Sequence, residues 1–468
     1  MNFIFINSDT LRRDHLGCYG NRWISTPHID AFAARGLRFL NAYAASFPTV
    51  PNRRDVLTGR FTASYTGWAP LGANEVVLPE VLRKSGYVSM MVCDTPHILA
   101  EGYNYDRGFD GWEWIRGQES DRWRTSPAAP GHPCDPAKLR HPAMLAARHR
   151  RNTAWWRYEA DCFVARTMST ACTWLEENYR QDRFFLYVDT FDPHEPWDPP
   201  DWYVRMYDPG YDGQVVDYPC YANANFMSGA ELKHARALYA GEVTLVDRWI
   251  GRVLEKIADL GLMENTVVML TTDHGFLHGE HEIMGKGLID ERGFTNIPLY
   301  EEISHIPLVV HCPGAKAGTR AAVVQPMDIM PTILDLAGAQ MPPTVHGKSF
   351  AGVLQGEGDR HREFAVTSPY LGVASGAATV TRGKWSAIIW CTPQAQPTPD
   401  KAVDGFAKAQ KTGVLQPVDM LFDLEADPGQ RHDLAARQPG IVADLRARAV
   451  AFWAEIGTDK AILARWRR

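Results

Sequence analysis

No Cys-x-x-Cys pair occurs anywhere in the 468 residues. The eight cysteines (Cys18, Cys93, Cys134, Cys162, Cys172, Cys220, Cys312, Cys391) are scattered, which argues against a disulfide framework or a thiolate zinc site and leaves them as small core residues. Nothing reaches about 18 uninterrupted apolar residues, so no membrane-spanning helix is expected. A positive stretch leading into a long apolar one is also missing at the start, where Phe3 to Ile6 already reads as a buried strand. A cytoplasmic protein is the expectation. No repeat at a fixed period is visible, which excludes a solenoid. Positive excess is lacking as well: 49 Lys+Arg against 55 Asp+Glu leave a formal charge of −6. Neither a nucleic-acid polymer nor a membrane is an expected partner, and an anionic ligand must be held by a few placed groups.

What is present is material for a large core, with 45% hydrophobic residues. One pattern recurs five times: an apolar run, then acidic or histidine residues at its carboxyl end. Phe3–Ile6 leads to Asp9, Val88–Val92 to Asp94 and His97, and Phe184–Val188 to Asp189, Asp192 and His194; Val267–Leu270 leads to Asp273 and His274, and Ile306–Val310 to His311. Runs without alternation are what strands buried on both faces look like, and in parallel sheets ligands bind outside the carboxyl ends. Between them, Leu78, Val81 and Leu82 share a helix face that Gly86 can end, and Val246, Ile250, Val253, Ile257 and Leu260 do so before Gly261. The fold class expected is α/β, a large mostly parallel sheet sandwiched by helices, spanning residues 1–360. A smaller C-terminal α+β domain follows over 361–468, with a strand over Thr379–Trp390 and an amphipathic helix over Ile441–Ile456. Residues 115–150 and Thr392–Gly413 read as surface excursions. Arg12, Arg13 and the Arg and His residues of 132–151 read as surface charge, and Trp112, Trp114 and Trp123 as an aromatic pocket wall.

In the segment Thr49-Val50-Pro51-Asn52-Arg53-Arg54-Asp55-Val56-Leu57-Thr58-Gly59-Arg60, Thr49 can cap a helix, Pro51 suits its first turn and Gly59 can end it. The hydroxyl then lies at a helix N-terminus, which favours anions, with Arg53 one turn on. A histidine at position 194, able to give and regain a proton near neutrality, suits a general acid.

The string Thr49-x-Pro51-x-Arg53-x-x-x-Leu57-Thr58-Gly59-Arg60 resembles the signature of the sulfatases of the alkaline phosphatase superfamily. The resemblance continues through Ser8-Asp9-Thr10, Phe191-Asp192-Pro193-His194-Glu195-Pro196-Trp197, Thr272-Asp273-His274-Gly275, Gly279-Glu280-His281, Gly285-Lys286-Gly287, Gln325-Pro326-Met327-Asp328 and Leu421-Phe422-Asp423. It implies catalytic roles for Thr49, Arg53, His194 and Lys286 and one divalent ion on Asp9, Thr49, Asp273 and His274. His97 and His281 are implied as further substrate contacts. Asp9, Asp273 and His274, at the ends of two strands, would with Thr49 Oγ give an oxygen-rich site with one imidazole, suited to Mn²⁺, Ca²⁺ or Zn²⁺. Two-metal relatives need a further Asp and two His, which Asp189, Asp192, His194, His278 and His281 could supply, but their spacing does not match that pattern, and one ion is expected.

Three departures shape the functional expectation. The family's first position is a Cys or Ser converted to formylglycine; here it is Thr49, so formylglycine is not expected. Ser8 precedes Asp9 where an acidic pair is usual. Cys93-Asp94-Thr95-Pro96-His97 stands where a second anion-binding lysine is usual. The reaction expected is hydrolysis of a small anionic ester, a phosphodiester or phosphonate monoester, through a covalent Thr49 intermediate: threonine nucleophiles occur in the superfamily's nucleotide pyrophosphatase/phosphodiesterases and phosphonoacetate hydrolase, and the altered Cys93–His97 block resembles that of phosphonate monoester hydrolases. A sulfuric ester hydrolase and a catalytically silent oxyanion-binding homologue are the alternatives. A homo-oligomer is compatible with the sequence.

Overall fold

The computed structural model describes residues 1–127, 130–290, 293–373, 376–391 and 417–467. Eight strands form the main sheet: β1 (Asn2–Ser8), β2 (Leu37–Ala42), β3 (Val88–Cys93), β4 (Gly111–Trp114), β5 (Phe184–Thr190), β6 (Thr266–Thr271), β7 (Leu308–His311) and β8 (Gly318–Val324). Their order is β8-β2-β7-β6-β1-β5-β3-β4. All seven residues of β1 are buried, and its alternate side chains supply two cores. Ile4 and Ile6 face one, Phe3 and Phe5 the other.

Seven helices matter to the argument: α1 (Pro27–Arg35), α2 (Thr49–Thr58), α3 (Leu78–Lys84), α4 (Phe163–Asn178), α5 (Gly229–Asp259), α6 (Ile329–Ala337) and α7 (Pro439–Glu455). Helices α1, α4 and α5 cover the Ile4 face; α2, α3 and α6 cover the Phe3 face. Helix α5 starts on a capping box, with Ser228 Oγ accepting from Glu231 N and the Glu231 side chain returning to the cap. It stops before Gly261, whose φ of 68° is a left-handed conformation that a glycine adopts without strain.

The expected α/β class is found, with one change of direction. Strand β7 runs antiparallel to β2 and β6. The carboxyl end of the Ile306–Val310 run therefore lies at the opposite edge from the others, and His311 bonds Met263 O at 2.8 Å there. A period-free apolar run reports burial on both faces but carries no direction. The candidate strand Thr379–Trp390 is a hairpin, folded at Gly383 (φ 56°) into β10 (Ala377–Arg382) and β11 (Trp385–Trp390). With β9 (Ala365–Thr367) and β12 (Met420–Asp423) these make an antiparallel sheet. One face joins a core with α7 and with Ala45, Phe61 and Met327; the other packs Ile388, Trp390 and Phe422 against Phe47, Leu277 and Ile303. The sheet thus buttresses the residues just before Thr49. The Thr392–Gly413 excursion lies outside the described residues.

Surface-charge readings fail at three places. Arg12 is 3% exposed, between Asp14 and Glu280. Arg140 and His149, inside the 115–150 excursion, are buried too. Each has gained carboxylate partners distant in sequence, which residue type alone does not reveal.

The C-terminal unit is tied to the sheet through Asp328, which accepts from Gln325 N (3.0 Å) and Lys348 N (2.9 Å) and pairs with His361 and Arg362. Burial would raise its carboxyl, but Arg362 and His361 outweigh burial and hold it below the ordinary carboxylate range. The stabilisation is therefore present above the unfolded pKa, near pH 4, and is lost as pH falls. Arg362→Leu should lower the unfolding free energy by about 3–5 kcal/mol at pH 7. The deficit should shrink from pH 5 to pH 3, as urea titrations across that range would show.

Candidate active site

The registers of β1 with β5 and β6 bring their carboxyl ends level, with Asn7 opposite both Asp189 and Thr271. The chain leaves β1 through Asp9 and Thr10. Thr10 sits at φ 60°, a costly region for a β-branched residue. It is held there by bonds from its N to Asp273 Oδ1 (3.1 Å) and its Oγ1 to Asp9 Oδ1 (2.7 Å), and by Tyr239 OH donating to its carbonyl (2.8 Å). The turn thereby fixes both carboxylates. Asp9, Asp273 and His274, all buried, place donor atoms within 4.8 Å of one another.

Helix α2 begins at Thr49 itself, with Pro48 before it as cap. Thr49 therefore does not cap with its side chain, and its hydroxyl is turned to the site: Oγ1 lies 3.5 Å from His274 Nε2 and 3.4 Å from Lys286 Nζ. Asn52, on the same helix, donates to Asp273 O at 2.9 Å. Gly59 ends the helix at φ 64°, as its position suggests. One turn on from Thr49, Arg53 is fully buried, with Nε 2.9 Å from Asp189 Oδ2 and Nη2 2.8 Å from Asp189 Oδ1. Its Nη1 reaches Asp9 Oδ2 at 3.1 Å and also Asp273.

Outside this cluster opens a cavity of about 500 Å³. Thr49, His194 and Lys286 lie on its inner wall; Trp68, Tyr221, Phe294 and Tyr370 supply apolar surface, and His97, Glu119 and Arg140 a polar side. Lys286 Nζ is 2.8 Å from His194 Nε2 and 3.2 Å from His274 Nε2. Burial, then the charge of Lys286, hold the His194 imidazole well below its ordinary pKa. Burial likewise pushes His274 down to about 3. Both rings are neutral at pH 7 and present Nε2 as an acceptor.

Most of the residues singled out in the sequence converge. Thr49, His194, Lys286 and His97 line the cavity, and Asp9, Asp273 and His274 stand behind Thr49. Arg53 is among them but faces Asp9, Asp189 and Asp273 rather than the cavity. His281 lies elsewhere, stacked on Tyr300 at 3.6 Å between ring centres. The groups considered for a second ion do not gather: Asp189 holds Arg53, Asp192 accepts from Gln118 (2.6 Å) and Val164 N, and His278 packs among Tyr239 and Phe276. Trp112 is exposed and off the cavity; the aromatic wall comes from Trp68, Tyr221, Phe294 and Tyr370. Glu119, Arg140 and Tyr221 were not anticipated. The 115–150 excursion folds back over the sheet, and an Arg in a Pro-rich stretch carries no sign of that.

Strand ends that gather carboxylates and an imidazole, with a hydroxyl and a lysine beside them on one cavity, accord with the class the family match shows, an ester hydrolase of the sulfatase/alkaline phosphatase superfamily. The family description "Sulfatase" matches residues 1–339, and the chain belongs to the sulfatase family. It is 25% identical to the arylsulfatase of Clostridium perfringens (strain 13 / Type A), over 92% of this chain and 90% of that one. To human arylsulfatase A it is 26% identical, over 95% and 85% of the two chains. In fold it matches the phosphonate monoester hydrolase SpPMH from Silicibacter pomeroyi with a TM-score of 0.71 at 20% identity, covering 98% of this chain and 96% of that one.

The family implies a divalent cation, and the residues fit one. Asp9 Oδ2 is buried and makes no hydrogen bond. Burial and repulsion from Asp273 raise the Asp9 carboxyl above its ordinary range. Of the three buried carboxylates only one is neutralised by Arg53, and a dication matches the two that remain. Stripping the protein with a chelator should therefore lower its melting temperature, and re-adding the ion should restore it. At a hundredfold excess over Kd the gain should be about 2.7 kcal/mol. Asp9→Asn should abolish the ion-dependent shift, as calorimetry would register.

Proposed function

We propose that this sulfatase-family hydrolase cleaves a singly charged phosphorus ester, a phosphodiester or phosphonate monoester, through a covalent Thr49 intermediate. The observation that carries the reading is the charge balance around Thr49. Arg53 is spent on Asp9, Asp189 and Asp273, and among the described cavity residues Lys286 is the one lysine or arginine with no carboxylate contact. One unspent cation beside the nucleophile matches one substrate charge; a dianionic monoester would leave a charge unmatched in a desolvated pocket. Asp9, Asp273, His274 and the Thr49 hydroxyl would hold one divalent ion, Mn²⁺, Ca²⁺ or Zn²⁺. Bound there, it acts as a Lewis acid and lowers the hydroxyl pKa.

The chain's own groups divide the remaining work. Thr49 Oγ1, an unmodified alcohol that first gives its proton to solvent, attacks phosphorus as the oxyanion and becomes esterified as the ester oxygen departs. Lys286 Nζ, in reach of Thr49 Oγ1, steadies the anion. An anion bound beside Lys286 offsets the lysine charge that, after burial, holds His194 neutral, which is the condition for Nε2 to carry a proton to the leaving oxygen. Water then cleaves the phosphothreonine and returns a proton to Nε2. Phosphorus is favoured over sulfur because a threonine ester has no aldehyde hydrate through which to expel sulfate. The arylsulfatase names of the sequence relatives support sulfuric ester hydrolysis as the second reading. A cytoplasmic location is proposed here as well.

Thr49→Ala should cut kcat/KM for a nitrophenyl phosphodiester about a thousandfold or more while leaving the ion-dependent melting shift in place. Mass spectrometry of quenched enzyme should find one phosphoryl or phosphonyl adduct on the Thr49 peptide. Faster turnover of a nitrophenyl sulfate than of the diester and the phosphonate monoester would transfer the assignment to sulfur.

A further inference from the structure

We infer that Glu195, clamped by Arg140 and Tyr221, is the positioning residue that sets the hydrogen of the His194 ring on Nδ1 and stabilises the imidazolium when Nε2 takes a proton. Glu195 is fully buried, directly after the histidine in the chain. His194 Nδ1 donates to the Glu195 carbonyl at 2.7 Å and stands 3.2 Å from carboxylate Oε2. With Nδ1 so occupied, Nε2 is the atom presented to Lys286 and the cavity. Phe191 stacks on the ring at 4.0 Å between centres, which limits its rotation.

The carboxylate itself is held at one oxygen only. Glu195 Oε1 accepts from Tyr221 OH and lies 3.1 Å from Arg140 Nη2. Oε2 is buried and has no hydrogen-bond partner, an expensive condition for a carboxylate oxygen. The group it faces is His194 Nδ1. Arg140 also pairs with Glu119, which meets His97 Nε2 at 2.8 Å. One guanidinium thus serves two carboxylates, and its charge balances only one of them. An imidazolium on His194 supplies the missing positive charge where Oε2 waits for it. Tyr218, accepting from Arg140 and donating to Glu119, fixes the guanidinium from behind.

This inference rests on the reading of His194 as the acid for the departing oxygen. In that step the bond from phosphorus to the leaving oxygen breaks as the bond to Thr49 Oγ1 forms, and the Nε2 proton passes to the leaving oxygen. Glu195 touches neither reacting atom. It makes the protonated ring available.

The test compares two diesters that differ in the need for a proton, one with a nitrophenyl and one with a simple alkyl leaving group. Glu195→Gln keeps the shape but removes the charge. Its kcat/KM loss on the alkyl ester should exceed that on the nitrophenyl ester by tenfold or more, within the range general acids contribute. His194→Ala should show the same bias, and the double variant His194→Ala/Glu195→Gln should be no slower than His194→Ala alone. Arg140→Lys, which leaves the carboxylate charged, should show a smaller bias than Glu195→Gln. Equal losses on both esters, or additive losses in the double variant, would overturn the assignment of Glu195. Should Thr49→Ala retain turnover of both esters, the covalent reading falls instead, so the two failures are distinguishable. Melting curves of each variant separate a folding defect from a loss of function.

Discussion

Three buried carboxylates at the ends of neighbouring strands repel one another, and the whole site depends on the single guanidinium set among them. Arg53 reaches Asp189 at the end of β5, Asp9 just past β1 and Asp273 just past β6, all from one helix that also carries Thr49. A planar fork with five donors can bridge three strand ends, whereas the compact ammonium of a lysine cannot. The cost of burying the charges is met by mutual attraction and by fixed donors such as Thr95 Oγ1 and Tyr187 OH on Asp189. Because the strut and Thr49 share α2, the position of the hydroxyl follows from the position of the charges.

Beyond that strut the site alternates in sign. The carboxylate cluster is negative and calls for a cation; Lys286, at the cavity wall, is positive; the far side, with Glu119 and Glu195 sharing Arg140, is negative again. Low dielectric strengthens each of these fields. Neutral His194 and His274 lie at the boundaries. Catalysis of ester cleavage asks for this kind of arrangement, charges fixed before the reaction rather than recruited during it.

The C-terminal sheet belongs to the same construction. Its Trp390 and Phe422 pack on Phe47, two residues before Thr49, and its other face shares a core with Ala45 and Phe61 on either side of α2. The segment that carries Thr49 is therefore gripped between two sheets. Such packing limits the freedom of the Thr49 hydroxyl without any polar group being spent on it.

The apolar runs and the residues that follow them announced the buried strands, and the spacing from Thr49 to Gly59 announced the helix that carries Thr49, because periodicity and end signals are local properties. Asp9, Asp273 and His274 were visible as polar residues at the ends of apolar runs, but only the resemblance to the sulfatases singled them out as one group. The direction of β7, the inward turn of Arg12 and Arg140, the separation of His281 from the cavity and the service of Arg53 as a strut were settled only in three dimensions. Each depends on partners far away in the chain, Glu280 for Arg12, Glu119 for Arg140 and Asp189 for Arg53. A charged side chain is buried only when opposite charge meets it there, and which charges meet is a property of the closed fold.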